Sequence, residues 1–186
     1  MSTHIQPLLT IADLEIMPDD ENRYELMEGE LIVSRAPGLS HQRVLGNLLT
    51  LINNYLAQES LGEVFATPGV IFDELNSAIP DIAFVSRERG ALIASGERIT
   101  GAPELMVEIV SPGSENARRD RVVKRQVYGK HGVLEYWIVD PERRTVEVYR
   151  VHQKSLELFA TLVGQDEITS PLLPHLSFPV SKIFSA

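Results

Sequence analysis

The feature that most restricts the fold is a series of short apolar runs of strand length, interrupted by two long segments with helical spacing. The first helical segment covers residues 41–59 after a capping Ser40, and the second covers residues 114–130 and ends at His131-Gly132. The strand-type runs are residues 64–66, 69–74, 79–86, 104–110, 133–139, 145–151 and 156–162. This pattern predicts a mixed β-sheet with one helix before it and one inserted midway, in the α/β or α+β class.

Shorter elements are expected around that sheet. Residues 11–20 have the pattern of a short helix, and residues 23–34 have that of a β-hairpin with its turn near Glu28-Gly29. Residues 87–102 contain three glycines and are expected to form a loop. Residues 170–184 are expected to form an apolar tail.

Composition bounds the class of protein. No repeat or linker interrupts the 186 residues, so we expect a single domain over residues 1–186, with an N-terminal helical segment at 1–20 and the core at 21–180. The chain has no cysteine, which excludes disulfides, a thiolate zinc site and a cysteine nucleophile. It shows neither a secretory signal nor an apolar run of about 20 residues, so we expect no membrane association and a cytoplasmic protein.

Charge is distributed unevenly along the chain. The formal net charge is −9, yet residues 114–131 contain six basic and two acidic residues and carry +4. A basic helix on an acidic body is compatible with one side that faces nucleic acid. Charge alone favours the simpler interpretation, which is a solvated helix face.

Two acidic residues stand where a purely structural strand would avoid them. Asp81 follows Pro80 at the start of an apolar run, and Glu108 lies inside the run ELMVEIV. A carboxylate in such a strand is costly unless it is paired or bound to a metal. Two acids at the ends of adjacent strands can hold a hard divalent cation through oxygen ligands, and the carbonyl of Ile109 is a natural further ligand.

The basic helix offers a third member of the same cluster. At about 100° per residue, Asp120, Lys124 and Tyr128 lie on one helix face. Lys124 is therefore expected on or beside the buried side of the helix, where its charge needs a partner such as Glu108 or Asp81. The residues alone thus predict a carboxylate–carboxylate–lysine cluster.

Each of these residues also has a structural interpretation. Asp81 could be a turn or capping residue, and Glu108 could belong to an edge strand and reach water. Lys124 could pair with Asp120 at i, i+4 on a solvated face. The three residues occur in the order strand acid, strand acid and inward-facing helix lysine, and this order favours the cluster over the separate structural roles.

Several segments taken together resemble the Uma-two family of restriction-endonuclease-like proteins, in order and spacing, from about residue 11 to the C-terminal Ile-Phe. The segments are RYELMEGELIV, SHQRVLGNL, PDIAFVS, APELMVEIVSP, the Asp120/Lys124/Tyr128 ladder and HGVLEYWIVDPERRTVEVYR. The resemblance implies a PD-(D/E)xK nuclease-like fold, in which a mixed sheet is flanked by helices. It also implies a divalent metal, usually Mg²⁺, with Mn²⁺ as an alternative.

Carried over to this chain, the resemblance makes Asp81 the acid of the PD motif and Glu108 the second acid. Val110 stands where the general pattern has a lysine, and Lys124 fits a lysine that has migrated to the following helix. The metal would then be held by Asp81, Glu108 and Ile109, while Asp81, Glu108 and Lys124 would be the catalytic residues.

Further residues receive supporting roles from the resemblance or from the helix face. Glu30 and His41 match a family-typical acid and a family-typical His-Gln pair, and each could support the site, although His41 could equally bond to backbone at a helix start. Asp120 and Tyr128 could also support it, whereas Glu25 is expected to be structural. The arginines on or beside the basic helix, Arg118, Arg121 and Arg125, are candidates for phosphate contacts.

The function expected from this pattern is a metal-dependent endonuclease that hydrolyses nucleic acid, with DNA favoured over RNA. Two alternatives stay open at this point: an inactive nucleic-acid-binding or protein-interaction module, and a phosphoesterase acting on small nucleotides. A homodimer is compatible with the resemblance, because two sites could cut both strands.

Overall fold

The computed structural model describes residues 7–94 and 96–185, and within these ranges thirteen strands and five α-helices are formed. The strands are β1 (Arg23–Met27), β2 (Glu30–Ser34), β3 (Gly62–Ala66), β4 (Val70–Asp73), β5 (Asn76–Ala78), β6 (Ile82–Ser86), β7 (Ile99–Thr100), β8 (Leu105–Ile109), β9 (Glu135–Asp140), β10 (Thr145–His152), β11 (Ser155–Val163), β12 (Glu167–Ser170) and β13 (Leu173–Pro179). The helices are α1 (Ile11–Glu15), α2 (Leu39–Glu59), α3 (Arg87–Ile93), α4 (Ser114–Arg118) and α5 (Arg125–His131), with a π-helical segment at Arg119–Lys124 and a 3-10 turn at Val180–Lys182.

A six-stranded mixed sheet forms the centre, in the order β11-β10-β9-β8-β6-β3. Strands β8 and β9 are parallel, and the other neighbours in this sheet are antiparallel. A second, five-stranded sheet has the order β2-β1-β5-β4-β7, and β12 pairs with β13. The predicted mixed sheet flanked by helices is confirmed.

Both faces of the six-stranded sheet are covered, and the alternation of side chains along β8 assigns its residues to the two sides. Leu105, Val107 and Ile109 pack in a core with α2 and the β12–β13 hairpin. Met106 and Val110 pack in a second core with α5 and residues of the five-stranded sheet. Because side chains alternate with period two, Glu108 points to this second side, towards the basic helix.

Two segments differ from the sequence-based expectation. Residues 87–102 were expected to form a loop, but α3 occupies Arg87–Ile93 and Ser86 caps it by accepting a hydrogen bond from the Arg89 amide at 3.2 Å. The expected tail contains β13, whose Leu173, Leu176 and Phe178 are buried in the α2 core. The glycines and prolines in these segments obscured the local patterns, while capping and burial stabilise the regular structure.

The N-terminal elements agree more closely with expectation. Helix α1 is shorter than expected and spans Ile11–Glu15, while β1 and β2 form the expected hairpin. Its turn places Glu28 and Gly29 at φ 54° and 78°, a left-handed pair that matches the twist of the flanking strands. None of the helices in the described ranges combines the length and apolarity needed to cross a lipid bilayer.

Candidate active site

The structure brings the three residues of the expected cluster into one polar cleft. Asp81, Glu108 and Lys124 line it together, and their exposed fractions are 4%, 5% and 3%. The cleft lies where the second side of the six-stranded sheet meets the β1–β2 hairpin and the basic helix. Side chains that are polar and this deeply buried need partners, and the partners define the site.

Asp81 is held at the start of β6 by two hydrogen-bond donors. Its Oδ2 accepts from the backbone amide of Ile109 at 2.7 Å and lies 3.0 Å from Nε2 of His41. The Asp81 carboxylate therefore bonds across to the neighbouring strand and to α2, rather than capping a local turn. Within the described ranges its other oxygen, Oδ1, makes no hydrogen bond. Because Oδ1 is also not completely buried, it is open to the cleft.

Glu108 lies in β8, which is an interior strand between β9 and β6, so it does not reach water from a sheet edge. Its Oε1 accepts hydrogen bonds from Nζ of Lys124 at 2.9 Å and from the hydroxyl of Tyr128 at 2.7 Å. Burial raises the pKa of Tyr128 well above its ordinary value, and Glu108 adds to that effect, so the hydroxyl stays protonated and donates. As with Asp81, one carboxylate oxygen of Glu108 is held by hydrogen bonds and the other is open to the cleft.

Lys124 is enclosed by carboxylates and does not form the i, i+4 pair with Asp120 on a solvated face. Its Nζ lies 2.9 Å from Oε1 of Glu108 and 2.9 Å from Oε1 of Glu25. Burial by itself would lower the pKa of Lys124, but Glu108, Glu25 and Asp120 outweigh it and raise the pKa above its ordinary value. The ammonium group is therefore a permanent positive charge at neutral pH.

The backbone around Lys124 is not a regular α-helix. Residues Arg119–Lys124 form a π-helical segment between α4 and α5, with the wider i→i+5 turn. Asp120, Lys124 and Tyr128 are all buried along this segment and α5, as the helix face predicted. π-helical turns occur mostly as short interruptions of α-helices and are frequent at functional sites, which agrees with the position of this one.

The acids of the cleft outnumber its buried cation. Glu25, Asp81, Glu108 and Asp120 all line it and are buried. Burial raises the pKa of Asp120, with Glu25 and Asp81 adding to the effect and Lys124 opposing it. Burial likewise raises the pKa of Glu108, to well above its ordinary value, and a divalent cation beside these buried acids would favour their charged forms.

The hairpin contributes a different acid from the one expected. Glu30 was expected to support the site, but it is exposed and outside the cleft, whereas Glu25 is buried at 3% exposure and bonds to Lys124. The strand register places Glu30 opposite Met27, next to the turn, whereas Glu25 lies opposite Ile32 towards the open end. Both glutamates share one face of the hairpin, so only their position along it separates them. The signal that could have identified Glu25 as a buried acid is its position two residues before Met27, because alternate residues of a strand share a face and Met27 is buried.

The arginines expected to contact phosphate do not line the cleft. Arg121 donates to Glu147 at 2.7 Å and to Asp140 at 3.0 Å, Arg125 donates to the carbonyl of Leu156 at 2.6 Å, and Arg118 is exposed elsewhere. The arginines that do line it are Arg23, Arg35 and Arg119. Adjacent helix positions point in different directions, so the packing of the helix decides which arginine faces the cleft.

The donor groups of the cleft fit Mg²⁺ better than an ion that needs a complete protein cage. Among the described residues, no group of three or more His, Cys, Asp or Glu side chains is arranged to hold a metal by itself. Mg²⁺ typically uses one or two carboxylates and completes its shell with water and substrate phosphates. Asp81 and Glu108, each with one oxygen left towards the cleft, match that requirement.

The mixed sheet, its flanking helices and the acid–acid–lysine cleft define a restriction-endonuclease-like protein. Residues 11–181 match the profile of the Uma2 family, described as "Putative restriction endonuclease", and the chain belongs to that family. A similar solved structure is the crystal structure of a "putative nuclease" from Anabaena variabilis, with a TM-score of 0.76 and 22% sequence identity. The alignment covers 95% of this chain and 97% of that one, which establishes the shared fold. No curated protein matches the sequence significantly.

Proposed function

We propose that this protein is a metal-dependent nuclease that hydrolyses phosphodiester bonds of nucleic acid, with DNA as the favoured substrate. The observation that carries the proposal is the Lys124 ammonium group, 2.9 Å from Glu108 in the cleft that Asp81 also lines. Membership in the family described as "Putative restriction endonuclease" supports the same reaction. A fixed cation beside two acids proposed to hold a metal suits a reaction that builds negative charge on phosphate.

In this proposal Asp81, Glu108 and the carbonyl of Ile109 would hold Mg²⁺, or Mn²⁺ in its place. When bound, the cation would neutralise charge on the scissile phosphate and lower the pKa of a coordinated water. Ile109 and His41 fix one oxygen of Asp81 and thereby orient the other towards the cleft. Lys124 stabilises the negative charge that develops on the phosphate, because its ammonium group is already positioned and desolvated.

The first test is a cleavage assay on plasmid DNA, single-stranded DNA and RNA, in the presence of Mg²⁺, Mn²⁺ or EDTA. We expect cleavage of at least one of these polymers with Mg²⁺ or Mn²⁺, and complete loss with EDTA that excess metal restores. Metal removal stops the reaction because, in this proposal, the metal is the group that activates the attacking water and contacts the scissile phosphate between Asp81 and Glu108. Cleavage that persists in EDTA, or hydrolysis of bis(p-nitrophenyl) phosphate with no polymer cut under any condition, would contradict the proposal.

A second prediction concerns the arginines at the cleft. Arg119 lines it, its Nε is buried without a hydrogen-bond partner among the described residues, and it lies 3.9 Å from Oδ1 of Asp120. We expect Arg119→Gln to raise KM for nucleic acid about 10- to 100-fold with little change in kcat, because a charge-assisted contact to phosphate is worth about 1.5–3 kcal/mol.

The matched control is Arg118→Gln, which removes the same charge from an exposed neighbour outside the cleft. We expect its KM to stay within about twofold of the wild type, since an exposed charge that does not line the cleft is weakened by solvent and salt. The salt dependence of KM should also weaken only in Arg119→Gln. Equal effects of the two substitutions would show that the helix acts through its general charge and that Arg119 makes no specific contact.

A further inference from the structure

Glu25 occupies a position that joins three parts of the cleft. One oxygen, Oε1, lies 2.9 Å from Nζ of Lys124 and accepts a hydrogen bond from the backbone amide of Ile79 at 2.8 Å. Ile79 and Pro80 lead directly into Asp81, and Pro80 restricts the backbone between them. A single buried oxygen atom therefore links the hairpin, the lysine of the π-helical segment and the chain that carries Asp81.

The hairpin itself is fixed independently of the cleft. Leu26, the next residue, is fully buried and lies opposite Ser77 in the pairing of β1 with β5. Backbone pairing on both sides of β1 thus determines where the Glu25 carboxylate lies. Lys124 has three rotatable donors on a long flexible stem, so its ammonium group needs such a fixed acceptor to keep one position.

We propose that Glu25 is a positioning residue for the proposed nuclease site, which holds the Lys124 ammonium group and the Asp81 segment at a fixed separation. Glu108 and Glu25 hold Lys124 from two sides, one on the central sheet and the other on the hairpin. The role rests on the proposed function for its catalytic meaning, but its geometric part can be measured without any cleavage. Glu25 acts here through the groups that it orients and needs no contact with substrate or metal.

The test follows the lysine directly by NMR of the side-chain ammonium groups in the uniformly ¹⁵N-labelled full chain. The sequence contains four lysines, and Lys130, Lys154 and Lys182 are all exposed, so a slowly exchanging ammonium signal belongs to Lys124. We expect this signal in the wild type, its retention in Glu25→Gln, which keeps the acceptor oxygen, and a proton exchange at least 10-fold faster in Glu25→Ala. The control Glu30→Ala removes an exposed acid from the same hairpin face and should leave the signal unchanged.

Activity and metal binding supply the second readout. We expect kcat to fall about 10- to 100-fold in Glu25→Ala with KM unchanged, as for a misplaced catalytic group, and to recover to within about fivefold in Glu25→Gln. Calorimetric Mg²⁺ affinity should be the same in Glu25→Gln and the wild type. An unaltered Lys124 signal in Glu25→Ala would overturn the proposal. Equal activity loss in both variants with at least 10-fold weaker Mg²⁺ binding would also overturn it and make Glu25 a ligand.

The two proposals fail separately. The ammonium signal reports the position of Lys124 whether or not the protein cleaves nucleic acid. If the wild type cuts no polymer but the signal depends on Glu25 as expected, the nuclease function fails and the positioning of Lys124 by Glu25 stands. If the protein cleaves nucleic acid and the Lys124 signal is the same in Glu25→Ala and the wild type, only the positioning role fails.

Discussion

Replacing Asp81 with asparagine is expected to lower the rate of metal-dependent cleavage by about 10³-fold or more. The change removes one of the two carboxylates proposed to hold the cation, and the charge stabilisation that a metal supplies is worth several kcal/mol. The fold should survive, because the asparagine carbonyl oxygen can still accept from the Ile109 amide that now bonds to Oδ2 at 2.7 Å. Removing one negative charge from an acid-rich cleft should leave the thermal midpoint equal to or above that of the wild type.

The measurement is a single-turnover cleavage rate with saturating Mg²⁺, together with the thermal midpoint from circular dichroism and Mg²⁺ binding by calorimetry. Asp73→Asn is the matched control, since Asp73 lies in β4 outside the cleft and is about half exposed. It should cleave at the wild-type rate. A folded Asp81→Asn protein that still cuts at that rate would remove Asp81 from the mechanism.

Replacing Lys124 with methionine should give the largest combined loss of stability and activity. Methionine matches the length of the lysine stem but leaves Glu108, Glu25 and Asp120 buried without their cation. Removing one partner of a buried ion pair typically costs about 3–5 kcal/mol in the free energy of unfolding, because the remaining charge is uncompensated. Cleavage should fall by about 10²-fold or more, since a preorganised cation no longer faces the reacting phosphate.

A double variant separates the two losses. Lys124→Met combined with Glu108→Gln removes both charges, so it should recover much of the unfolding free energy and remain inactive. Lys130→Met serves as the surface control, because Lys130 pairs with Glu28 and both side chains are more than half exposed. Urea unfolding of the four proteins gives the comparison. If Lys124→Met is no less stable than Lys130→Met, the ammonium group is not compensating the buried acids.

Much of this site follows from patterns that are local in sequence. Asp81 beside proline, Glu108 inside an apolar strand and the four-residue spacing from Asp120 to Lys124 to Tyr128 are visible in the chain alone. The cluster could be predicted because the residue periods of strands and helices determine which side chains lie on the same face of an element. Side chains alternate along β8, and this alternation places Glu108 on the side of the sheet that faces the basic helix.

Other parts of the site depend on where distant elements meet. The period-two pattern of the hairpin puts Glu25 and Glu30 on one face, and only the packing of its open end against the cleft separates buried Glu25 from exposed Glu30. In the same way, the basic helix contains several arginines. Arg121 forms ion pairs with acids of β9 and β10 and lies outside the cleft, whereas Arg119 lines it. Such choices depend on contacts between residues far apart in the chain.

The sequence by itself therefore determined the class of fold, the two acids and the inward lysine, because hydrophobic periodicity and the cost of burying charge act on neighbouring residues. The tertiary structure alone decided that the lysine is shared between Glu108 and Glu25, that a π-helical turn presents it, and which arginines face the cleft. These features arise from the pairing of β1 with β5 and from the packing of the basic helix on the central sheet. No local pattern encodes the distance between residues that are brought together only when the whole chain has folded.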